Sequence, residues 1–178
     1  MIKGLKNRLS DYHFERLPQS IRDVVACNIT KAKTVGIVYI ADKEEDTALV
    51  KRYINHLKTY DIKISTLGYF RAKDLHRDIV TKLGMDYFCF KDINAHLRPI
   101  SPSVQNFIET PFDILIDTSV LEDKSIRFVT TLSNAKFKVG YTQLPYAKNL
   151  DFTINLPEGE TVRELIKNID RYLHIINK

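Results

Sequence analysis

Residues 35–40 read Val35-Gly36-Ile37-Val38-Tyr39-Ile40, an apolar, β-branched run without polar alternation. A strand with one face in water alternates apolar and polar residues, so this run predicts a strand covered on both faces, as in the middle of a parallel sheet. Immediately after it, residues 44–60 set Leu49, Val50, Tyr53, Ile54 and Leu57 on one helical stripe. That helix opens on Glu44, Glu45 and Asp46, where the helix dipole favours anions.

The same unit recurs to the end of the chain. Ile62, Ile64 and Thr66 alternate with Lys63, Ser65 and Leu67, a second strand nearer an edge than the first. Leu75, Ile79, Val80 and Leu83 mark a helix ended by Gly84, and residues 86–90 read as a third, short strand. A fourth strand covers Phe112 to Asp117, with a helix over Ser125 to Asn134, and residues 136–141 and 152–156 supply strands five and six. In the last helix Thr161 and Glu164 form a T-x-x-E capping box ahead of a face made by Val162, Leu165, Ile166, Ile169, Leu173 and Ile176. Strands alternating with helices imply right-handed βαβ units with helices on both sheet faces. The expected fold class is α/β: a three-layer, doubly wound, mostly parallel Rossmann-like sheet with an extra N-terminal helix.

At the N-terminus Ile2, Leu5, Leu9 and Tyr12 fall on one helical face, a helix packed on the domain or on a partner, and a short helix is expected over Ile21 to Cys27 after Pro18. This sets residues 1–33 apart as a basic helical segment ahead of a domain over residues 34–178. The chain of 178 residues carries 27 Lys and Arg against 22 Asp and Glu, and residues 1–35 hold seven of the basic side chains against three acidic ones. Lys3, Lys6 and Arg8 are therefore the candidates for touching RNA, DNA or an acidic protein, the alternative being a solvated amphipathic helix. No stretch approaches the roughly 20 apolar residues that span a bilayer, and the N-terminus lacks a signal-peptide core, so a cytoplasmic location is expected. Cys27 and Cys89 stand alone and read as reduced, mostly buried thiols. A homo-oligomer is compatible with this reading.

Ligands of open α/β sheets bind beyond the carboxyl ends of the strands, where the strand order reverses. The residues expected there are Asp42 and Lys43, Gly68 and Tyr69, Asp117, Thr118 and Ser119, and Tyr141 and Thr142. Asp117 could serve as a general base or hold a ribose, or equally cap the next helix or bond nearby amides. Residues 91–103, with two prolines, make a long connection of the kind that often carries function, and Asn94, His96 and Arg98 are its candidates; Ser101 and Pro102 then open a short helix over residues 102–109. There is no G-x-G-x-x-G, no P-loop, no G-x-S-x-G elbow and no H-E-x-x-H pair, and the five histidines are dispersed. Dinucleotide binding, P-loop chemistry, serine hydrolysis and a metal site are disfavoured, and no cofactor is expected.

The stretch F-D-I-L-I-D-T-S at residues 112–119, then a helix, then L-S-N-A-K-F-K-V-G-Y at residues 132–141 resembles the N-terminal half of heptosyltransferase-like glycosyltransferases. D-F-T-I-N-L at residues 151–156 and its C-terminal helix resemble the end of that half-domain. The resemblance covers about a third of the chain and implies the fold. Those transferases carry a second, sugar-nucleotide-binding domain and an S-x-G-D stretch after strand one. This chain has Ala41-Asp42-Lys43-Glu44-Glu45-Asp46 there, so Asp42 does not match the catalytic position. Over its full length the chain is similar to a family of small bacterial proteins of unknown function, which brings no activity with it. The reading is a non-catalytic binding or interaction module. The alternatives are a nucleotide- or sugar-binding enzyme around Asp117 and an RNA- or ribosome-associated protein acting through the basic N-terminus.

Overall fold

A computed structural model describes residues 2–17, 22–75, 85–157 and 161–177, with side chains from residue 7 onward. Six strands, β1 (Thr34–Ile40), β2 (Lys63–Tyr69), β3 (Met85–Phe88), β4 (Ile114–Asp117), β5 (Lys138–Tyr141) and β6 (Phe152–Ile154), form one sheet in the order β3-β2-β1-β4-β5-β6. Every pairing is parallel. The order runs one way from β1 to β3 and the other way from β4 to β6, which is the doubly wound Rossmann-like arrangement, with its switch point between β1 and β4.

Successive side chains of β1 enter opposite layers, which is why its sequence shows no alternation. Val35, Ile37 and Tyr39 pack with α2 (Glu44–Leu57) and α5 (Val162–Leu173). Val38 joins Leu67, Leu115 and the helices α3 (Pro102–Glu109) and α4 (Lys124–Leu132) on the other face. Gly36 lets β1 lie against Phe112, whose ring would stand 2.6 Å from a Cβ at this position. The N-terminal helix α1 (Ile2–Glu15) packs outside α4, with Phe14 edge-on to Phe128 and a ring separation of 5.4 Å.

Four expectations need correction. Residues 22–28 are extended, not helical: the Val25 amide donates to the Lys136 carbonyl at 3.1 Å, and the β-branched Val24 and Val25 favour that strand-like path. The predicted apolar face of α1 is not its docking face, since Leu9 and Tyr12 are exposed whereas Ser10 is buried. Asp11 turns the helix, pairing with Lys124 at 2.5 Å and Arg127 at 2.9 Å. Helix α5 starts at Val162 as its pattern predicts, but Thr161 makes no side-chain capping bond, and Glu164 lies 3.6 Å from Lys167 instead. Its buried stripe, not the capping box, fixes the helix. Helix α4 starts at Lys124, one residue early, because Asp123 caps it by accepting from the Ser125 and Ile126 amides. The helix expected over residues 75–83 lies largely outside the described residues.

Candidate functional site

Past the carboxyl ends of β1 and β4, where the chain leaves toward opposite faces of the sheet, lies a small crevice of about 60 Å³. Asp42 and Lys43 line it from the β1 side, Thr118 and Ser119 from the β4 side, and Arg71, two residues past the end of β2, closes it. Apolar walls come from Tyr39, Val50, Val120 and Val162. Through Lys43, Asp46 and Leu121 the crevice continues into a larger groove that Tyr141, Gln143 and Thr161 border on the β5 side.

Asp42 and Arg71 form the polar centre. One Asp42 oxygen accepts from the Arg71 amide at 2.8 Å and the other from its Nε at 2.5 Å, and this pairing holds the guanidinium above its ordinary pKa. Asp123 stands close by: burial pushes its carboxyl up and the nearby Asp42 charge adds to that, against the helix amides it caps and the charge of Arg71. At the adjoining helix terminus, Glu44, Glu45 and Asp46 fill the first turn of α2 with negative charge. Negative charge thus gathers at the helix terminus where this fold ordinarily holds a phosphate.

The structure gathers Asp42, Thr118 and Ser119 in the crevice and places Tyr141 beside it. Asp117 lies beneath, with no exposure. Its carboxylate accepts from the Ser119 amide at 2.9 Å, the Thr130 hydroxyl at 2.8 Å and the Tyr146 hydroxyl at 2.8 Å. Burial still outweighs these donors and raises its pKa. Asp117 thus ties β4 to α4 and to the turn after β5. The Ser119 hydroxyl is buried with no partner in hydrogen-bonding geometry.

Asn94, His96 and Arg98 stand elsewhere, in a tight turn that folds residues 92–100 back on themselves. The Asn94 side chain accepts from the amides of His96 and Arg98, Leu97 takes φ 62°, and Ile93 bridges Pro99. The His96 ring lies 4.0 Å from that of His13 on α1, so this connection docks the N-terminal helix. Arg8 is exposed on α1, whereas the side chains of Lys3 and Lys6 lie outside those described. Cys89 is buried and Cys27 partly so. Among the described residues no three His, Cys, Asp or Glu side chains cluster as metal ligands, and no helix is long and apolar enough to cross a membrane.

Arg71 and Asp123 were not among the candidates read from sequence. Arg71 stands two residues past β2, the same offset as Asp42 past β1, but only its pairing with Asp42, 29 residues away, marks it; Asp123 lies six residues past β4. Asp123 had a further signal, its place just ahead of an apolar helical stripe.

A family model described as a family of unknown function (DUF6913) matches residues 6–176. The chain belongs to this family. No curated protein and no solved structure matches it. The DUF6913 match takes in the crevice, the buried Asp117 network and all but the first residues of α1, so these features lie inside the family's own span.

Proposed function

We propose that this DUF6913 protein is a non-catalytic binding module whose crevice between β1 and β4 seats a small hydroxylated or cationic ligand. The observation that carries the reading is the wall chemistry at the switch point: the Asp42–Arg71 pair, beside an α2 terminus whose first turn holds Glu44, Glu45 and Asp46. A paired Asp and Arg offer an acceptor and donors to hydroxyl or amine groups. The three carboxylates oppose a phosphate by like charge. The full burial of Asp117 and its three donors support binding over catalysis, because a general base must reach the proton that it removes.

The test is titration calorimetry with free sugars, nucleosides and polyamines, each beside its phosphorylated or acidic counterpart. Unphosphorylated ligands should bind, and Asp42→Asn and Arg71→Ala should each weaken binding about tenfold, equivalent to the roughly 1.4 kcal/mol of one charge-assisted hydrogen bond. Tighter binding of the phosphorylated members, or affinities indifferent to both variants, would overturn the reading. Turnover lost in Asp117→Asn would favour the sugar- or nucleotide-acting enzyme instead.

A second reading rests on α1. Its Asp11, though part-exposed, is paired with Lys124 and Arg127, leaving Arg8 on the helix and Arg16 just past it as exposed cations. Such a helix suits RNA, and that contact would weaken as salt rises.

A further inference from the structure

Away from the crevice, between the C-terminal end of α4 and the turn that joins β5 to β6, lies a second pocket of about 170 Å³. Lys138, the first residue of β5, enters it as a nearly fully buried lysine, 1 % exposed. Its ammonium makes one hydrogen bond, to the Thr131 carbonyl of α4 at 2.8 Å, which leaves two of its three donors unused. Arg22 and Lys148 line the same pocket, and Asn149 and Thr131 add polar edges.

One carboxylate answers these three cations. Asp151 is already spent: its oxygens accept from both terminal nitrogens of Arg22, at 2.7 and 2.6 Å, and from the Lys138 amide at 2.8 Å. Lys148 has no ion-pair partner among the described residues. With Lys138 protonated, the pocket therefore holds two positive charges in excess and a buried ammonium with free donors. A buried cation in that condition carries a desolvation penalty that a bound anion would relieve.

We propose that this pocket is a binding site for a small divalent oxyanion of the phosphate or sulfate class, held by Lys138, Arg22 and Lys148. A dianion matches the excess charge, and a tetrahedral group offers acceptors in several directions to donors that converge from the N-terminal segment, from β5 and from the turn after it. The site differs from the crevice in sign: there carboxylates crowd the helix terminus, and here cations crowd a pocket.

The empty pocket is poised to respond to pH. Burial, reinforced by the charge of Arg22 and opposed by Asp151, lowers Lys138 to about 7. Lys148 also lines the pocket, and α4 contributes Thr131. An anion that binds the charged lysine should take up a proton at neutral pH, and its affinity should fall once the pH exceeds that value.

Sulfate is the probe, since its own charge does not change over this range. Calorimetry on the full chain at pH 6.0 and pH 8.5 should show binding on the order of tenfold tighter at the lower pH. Lys148→Gln, at an exposed position that leaves the fold intact, should weaken it several-fold. Lys138→Met should abolish it, and Asp42→Asn should leave it unchanged, which separates this site from the crevice. Glycerol phosphate should compete with sulfate and acetate should not. Sulfate affinity that ignores pH and Lys148→Gln, or acetate that binds as well as sulfate, would overturn the proposal.

Discussion

Asp117 accepts hydrogen bonds from an amide and two hydroxyls while wholly buried, and its consequences are those of a structural anchor. Asp117→Ala would strand three buried donors, at a cost on the order of 3 kcal/mol, whereas Asp117→Asn keeps an acceptor and should cost about 1 kcal/mol. The pH dependence follows from the direction of the shift. A carboxyl whose native pKa is raised above 3.8 stabilises the fold fully below that value and loses the contribution as pH rises through the native pKa. Urea unfolding at pH 4 and pH 7 should therefore show the advantage of the native chain over Asp117→Asn shrinking at the higher pH. The identity of Asp117 as a residue of interest was legible in its place at a strand end. Its burial was not, because Thr130 and Tyr146 stand 13 and 29 residues away in sequence.

Among the elements, α1 departs furthest from its sequence pattern. Apolar periodicity alone would bury Leu9 and Tyr12, but the pairing of Asp11 with Arg127, 116 residues distant, together with the packing of Phe14, outweighs a weak stripe. Arg127 is 7 % exposed, and its guanidinium lies 4.0 Å from the centre of the Phe14 ring. Asp11→Ala should release the helix and cost about 1–2 kcal/mol, at the low end for a partly buried pair because Asp11 itself faces solvent. Burial pushes the Asp11 carboxyl up, but the hydrogen bonds and charges of Lys124 and Arg127 win and hold it below its ordinary value of 3.8. Docking is then intact above that value and is lost as pH falls through the native pKa. Hydrogen exchange of the α1 amides should report faster exchange in Asp11→Ala at neutral pH, and in the native chain only on acidification. The strands followed their patterns more closely, since a both-faces-buried run such as residues 35–40 has few other places to sit.

At the scale of the molecule, the division expected at residue 33 meets a core that reaches across it. Ile29 has no exposure and packs in the main cluster, and the Asn28 side chain donates to the carbonyls of His174 and Ile176 beyond α5. Arg22 clamps Asp151 ahead of β6. Removal of residues 1–17 should leave a folded, cooperative domain. Removal of residues 1–33 should destabilise it by several kcal/mol, from the loss of a buried Ile worth about 1.5–3 kcal/mol and of these hydrogen bonds. Thermal unfolding of the two truncations checks this, and equal stability would support a boundary at residue 33. The sequence by itself determined the α/β class, the order of elements and the carboxyl end of the sheet as the place where a crevice opens. Those depend on local periodicity and on the handedness of crossovers, which leave few topologies open. Only the tertiary structure decided which carboxylate faces the crevice, which face of α1 docks, and that Lys138 is buried beside Arg22 and Lys148. Each of these depends on side chains brought together from distant parts of the chain, where desolvation and charge pairing are set by neighbours that no local pattern encodes.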